Sequence, residues 1–176
     1  MICPIRIYLC LVIIGVVFGT SCGQSPHAAQ IDEVNAARIK ARKLGEEAER
    51  KRRVAREKSE SGDHAGHDKS IEEAADLYKQ AADTLNDAAK KTDDIAKLQR
   101  PEWYEEYFSL QSKLMRNLAQ LATGAHDELL ARMNGSPSEA QVQSWKENIN
   151  RIGKENDEFW KRIKAIEKRE GVLVKE

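Results

Sequence analysis

Two stretches hold the residue types that could do chemistry. Ser61-Gly-Asp-His64-Ala-Gly-His67-Asp68 gathers two imidazoles and two carboxylates in one short segment. Imidazole nitrogen and carboxylate oxygen are ligands for Zn or Cu, so Asp63, His64, His67 and Asp68 form a candidate metal site. Two histidines in a glycine-containing loop make a weak, open site, and the plain reading is a polar loop. The second stretch, Glu49-Arg-Lys-Arg-Arg53-Val-Ala-Arg56-Glu-Lys58, is the densest basic run; between residues 38 and 58 there are ten basic and four acidic side chains. Arg50, Lys51, Arg52, Arg53, Arg56 and Lys58 could meet an anionic partner such as lipid head groups or a wall polymer. The competing reading is a solvated face, salt-bridged to Glu72, Glu73 and Asp76 of the next helix.

Other chemistry is not written in the chain. It contains no Glu-x-x-His, His-Glu-x-x-His, Cys-x-x-Cys-His, Gly-x-Ser-x-Gly or phosphate-binding glycine loop. His126 lies one position beyond an apolar stripe with no second ligand in reach, which makes it a boundary residue. Asn156 occupies a core position, where a buried amide costs stability and penalises wrong registers. Trp145 and Phe159 read as packing, whereas Trp103 and Trp160 sit offset from the stripes and could face a partner or a membrane interface. The sequence therefore predicts a protein that is not an enzyme and carries no cofactor.

Charge and composition narrow the class further. Lys+Arg and Asp+Glu are both 29, so the formal net charge is zero, which argues against a globally basic nucleic-acid binder. A content of 33% charged and 6% aromatic residues suits long amphipathic helices rather than a β-sandwich or an α/β enzyme.

The amino terminus has its own pattern. Arg6 precedes the apolar run Ile7–Phe18, which is short for a bilayer crossing and right for the core of a signal peptide. Gly19, Thr20 and Ser21 follow, then Cys22. Thr20-Ser21-Cys22 resembles the lipobox of bacterial lipoproteins; the resemblance covers residues 1–22. It implies that residues 1–21 are removed and that Cys22 becomes an acylated amino terminus inserted in a membrane. Gly23, where some bacteria use Asp to retain lipoproteins at the inner membrane, points by the same resemblance to the outer membrane of the cell envelope. Small residues at 19 and 21 also suit an ordinary signal-peptidase cut, and an uncleaved anchor is a further alternative. Cleavage would discard Cys3 and Cys10 and leave one thiol, so helix packing rather than an internal disulfide would stabilise the exported chain.

The elements that must position these residues are helices. After a tether over 22–30, stripes spaced at three and four predict helices over about 30–59, 71–98, 101–133 and 138–169. Ser70-Ile-Glu-Glu73 and Ser136-Pro-Ser-Glu139 read as capping boxes, and Pro101 and Pro137 as first helical residues. Connections of about ten, two or three, and three or four residues favour antiparallel neighbours. The predicted fold is an all-α, elongated, antiparallel four-helix bundle over residues 31–170, with a tail over 171–176. The first stripe is mostly alanine, which predicts a rival: a three-helix bundle over 70–170 with helix 30–59 as a stalk. Partners would be the membrane through Cys22, and a protein partner or a second copy; nucleic acid is excluded.

Overall fold

The computed structural model describes residues 15–16, 28–98, 102–171 and 174–175. Cys22, most of the tether and Pro101 lie outside the described residues. Four long helices make up most of the described residues: α1 (Ala28–Glu60), α2 (His64–Ala96), α3 (Glu102–Met133) and α4 (Glu139–Glu170). Each is 32 or 33 residues long, about 50 Å at 1.5 Å per residue. Among the described residues the remaining regular structure is a two-residue antiparallel ladder, Gly15–Val16 with Val174–Lys175, too short to form a layer. Among the described residues no helix is long and apolar enough to cross a membrane.

The helices run up and down. Lys91 of α2 meets Glu33 of α1 at 2.6 Å, and Lys51 meets Glu73 at 2.5 Å. Ser112 of α3 donates to the Ala89 carbonyl, and Arg116 bridges to Asp93. Across the last turn Glu106 meets Arg162, Tyr107 meets Glu167 and Asn117 meets Asn156. These pairs place Trp103, Tyr104, Tyr107 and Phe108 at the end where α1 begins, in a chain of ring contacts 4.5–6.3 Å apart. The turn over 61–63 and the turn over 134–138 lie at the far end.

The alanine stripe of α1 belongs to the core. Ala41, Ala48 and Ala55 recur every seven residues and are at most 1% exposed. They join the paired alanines of α2, Ala74–Ala75, Ala81–Ala82 and Ala88–Ala89, in the buried interior. Alanine buries little area by itself, but it lets backbones approach closely enough to bring whole helix flanks into dispersion contact. The expected all-α bundle therefore holds and its rival, α1 as a stalk, does not: α1 packs extensively on α2, and α2 on α3.

The loosely held element is α4. Its contact with α3 is the sparsest of the three sequential pairings. Buried positions are confined to Ile152, Ile163, Ile166 and Glu167. Over 139–151 no residue is buried, although Val142, Trp145 and Ile149 are half-covered. The regular stripe continues, but the far half of α4 lies mainly against the flank of α3.

Two helix starts differ from the sequence expectation. Asp63, not Ser70, caps α2: its carboxylate accepts from the Gly66 backbone N–H at 2.9 Å. Gly62 makes the reversal at φ +80°, and the connection shrinks from ten residues to three. Gly66, which reads as a break, lies in the first turn, where an added Cβ would stand 2.1 Å from the Asp63 carboxylate. Ser70 is internal and buried, bonded back to the Gly66 carbonyl. At α4 the box sits two residues later than expected, Ser138 with Gln141, and Pro137 precedes the cap.

Candidate functional site

The polar groups that converge do so between helices, in two nodes. The first is near the start of α1. Arg38 is 5% exposed, Glu167 6% and Gln111 4%, and the Tyr107 hydroxyl donates to Glu167 Oε1 at 3.2 Å. Lys164, one turn back on α4, reaches the other Glu167 oxygen at 3.3 Å. Burial pushes the Tyr107 hydroxyl well above the ordinary tyrosine range; the Glu167 charge adds to this, while Gln111 and Arg38 oppose it. Burial also lowers the Arg38 guanidinium, against the pull of Tyr107. Both side-chain polar atoms of Gln111 are buried without a hydrogen bond of good geometry. Such a node costs desolvation and gives directionality: Arg38 of α1, Tyr107 and Gln111 of α3, and Glu167 of α4 fit together in one relative placement.

The second node lies towards the far end. Tyr78 of α2 hydrogen-bonds to Glu49 of α1, and Arg52 bridges to Glu49 at 3.0 Å. Glu128 of α3, 8% exposed, accepts from Arg132 at 2.8 and 3.0 Å. Burial raises the Tyr78 hydroxyl far above its usual range, with the Glu49 hydrogen bond acting the same way. Burial works against the Arg52 charge, but Tyr78, Glu49 and Glu128 together hold the guanidinium above its ordinary value.

These nodes absorb part of the basic run. Arg52 turns inward, Lys51 crosses to Glu73, and Arg50 pairs with Glu47 at 3.1 Å. The Glu73 carboxylate is held below its usual range chiefly by that Lys51 hydrogen bond. Arg53 and Arg56 stay exposed and Lys58 is half-buried, so the six residues do not share one face. The candidate metal ligands are also separated by roles. Asp63 caps α2, and His67 donates Nδ1–H to its neighbour Asp68 at 2.9 Å. His64 and His67 lie on the first turn of α2, not in a loop. Among the described residues, no group of three or more His, Cys, Asp or Glu side chains is placed to hold a metal ion.

His126 donates to the Ala75 carbonyl at 3.0 Å, a packing role at the α2–α3 boundary. Asn156 is half-buried and accepts from Asn117 Nδ2 at 3.0 Å; the same amide donates to Glu155 at 3.1 Å. Trp103 and Trp160 are partly buried against the core. Two concave places among the described residues border the helices at opposite ends of the α3–α4 pair. A cavity of ≈ 20 Å³ lies between α3 and α4, beside Gly124, Trp145 and Ile149. A wide, open depression of ≈ 610 Å³ is lined by Glu102, Trp103, Glu105, Glu106, Ser109 and Arg169.

Arg38, Glu128 and Glu167 are the site residues that the sequence reading missed. Each leaves a trace: Arg38 stands between Val34 and Ala41 on the buried stripe, and Glu128 and Glu167 adjoin Leu129 and Ile166. In comparisons with known proteins, no family model, no curated protein and no solved structure matches this chain.

Proposed function

We propose that this chain is a lipid-anchored helical protein of the bacterial envelope that works as a binding, spacing or scaffold element and makes no bonds of its own. The observation that carries this reading is the disposition of its polar interior. In each node a carboxylate takes a tyrosine hydroxyl from another helix of the same chain, Tyr107 to Glu167 and Tyr78 to Glu49, as structural groups do, rather than standing open to a space for substrate. Four helices of about 50 Å side by side make a spacer. The anchor is the acylated Cys22 implied by the lipobox resemblance, and more than one acyl chain would be needed for durable attachment.

The test is cell fractionation with mass spectrometry of the mature amino terminus. Diacylglyceryl-modified Cys22 and release of Cys22→Ser from membranes would support the anchor. An unmodified Cys22, or full membrane retention of Cys22→Ser, would overturn it. Crosslinking in the native envelope addresses the binding half, because a spacer must touch a protein partner, a second copy or a polymer at its far end.

A further inference from the structure

We infer that Asn134 is a site of spontaneous deamidation, a self-modification that rewrites the turn joining α3 to α4. The chain has seven asparagines: Asn35, Asn86, Asn117, Asn134, Asn148, Asn150 and Asn156. Six lie inside helices, where the N–H of the following residue is held in the backbone ladder. Asn134 alone is followed by glycine and sits outside the helices, exposed, after the last residue of α3. Its own N–H donates to the Leu130 carbonyl at 3.0 Å, which fixes it at the helix end. Gly135 has φ +143° and no Cβ to shield its nitrogen, and an added Cβ there would meet nothing within 4 Å.

The chemistry needs only water. The Gly135 backbone nitrogen attacks the Asn134 side-chain carbonyl, the new C–N bond closes a five-membered succinimide, and the side-chain nitrogen leaves as ammonia with the proton released by Gly135. Water then opens the ring at either carbonyl and gives aspartate or isoaspartate. Both products add a carboxylate at the carboxyl end of α3, where the helix dipole disfavours negative charge. Isoaspartate also lengthens the backbone by a methylene in the turn that registers α4, whose adjoining half over 139–151 has no buried residue.

The experiment ages the full folded chain at mildly alkaline pH in isotopically heavy water and maps its peptides by mass. The expected result is heavy-oxygen incorporation in the tryptic peptide 133–146, localised to residue 134, at a rate at least about tenfold above any helical asparagine, since those must first open their ladder. Asn134→Gln should lose the product and keep the parent melting curve. Equal rates at helical asparagines, or the same product from Asn134→Gln, would overturn the site. The aged, more acidic fraction should melt below the fresh protein, and an unchanged melting temperature would overturn the effect on the turn.

Discussion

Tyr107 donates its hydroxyl to Glu167 across the α3–α4 seam, while the Arg38 guanidinium of α1 acts on the same tyrosine. One phenol thus links three helices near the end where the chain enters the bundle. Tyr107→Phe keeps the ring packing and removes the donor, leaving a buried carboxylate with less than its due. The expected loss is about 1.5–3 kcal/mol, the range for hydrogen bonds to charged groups. Urea unfolding checks it, and a cycle with Glu167→Gln should show coupling between the two sites. Additive losses would mean that the two side chains do not act together.

The two halves of α4 should respond differently to truncation. Ile163 is 0% exposed, and Ile163→Ala should cost about 2–5 kcal/mol. Ile149, half-covered beside the small α3–α4 cavity, should cost less than about 1.5 kcal/mol as Ile149→Ala. Hydrogen exchange should be faster over 139–151 than over 152–170. Equal protection in both halves would contradict the uneven seam.

Ala48→Leu tests the place of α1. Ala48 is 0% exposed in the seam of small residues, so the larger side chain must push α1 away, at a cost of about 1–3 kcal/mol. A stalk helix would accept leucine without loss, and a thermal melt tells the two apart.

Gly124 and Gly153 sit within helices, and an added Cβ at either would meet nothing within 4 Å. Gly124→Ala and Gly153→Ala should each stabilise by up to about 1 kcal/mol through backbone entropy, which raises the melting temperature by about 2–4 °C. Gly66→Ala should do the opposite, because its Cβ would strike the Asp63 cap.

Stability should fall at both pH extremes. Glu73 is lowered mainly by the Lys51 hydrogen bond and Glu155 mainly by that of Arg151; for Asp93, Arg116 and Ser112 outweigh an opposing burial effect. A depressed folded value gives stability that is present above the ordinary carboxylate range and lost as pH falls through the depressed one. On the alkaline side, Tyr78 and Tyr107 have raised values, chiefly through burial. Their contribution is whole below pH 10.0 and is lost as pH rises through the folded values. Tyrosinate absorbance should show these two phenols ionising late, together with unfolding. Ionisation of every tyrosine near its ordinary value in a folded chain would count against both nodes.

The helical period carried the fold in the sequence: spacing at three and four gave four helices, and the short turns gave their directions. What the period conceals is depth. The unbroken stripe of α4 reads as the best core, yet half of it is only half-covered, because coverage depends on how many neighbours the other helices leave available. The alanine stripe of α1 reads as weak because residue area underrates close backbone approach. The Ser70 box resembles a helix start, but Asp63 with Gly66 offers an earlier cap, and helix then propagates cheaply back over residues 64–69. Arg38 and Glu167 both face Tyr107, which lies on another helix far along the chain, so local spacing alone could not show why those charges are buried.

The antiparallel order has a mechanical consequence. A tug on the 61–63 turn travels back to the amino-terminal end through one continuous helix, along hydrogen bonds that all point down the line of tension. A tug on the 134–138 turn runs through α3 or α4 to the same end of the rod, but reaches the start of α1 only across side-chain seams or back through two further helices. The two tips of the same rod are therefore unequal as handles, one stiff and covalent, the other compliant and able to slip.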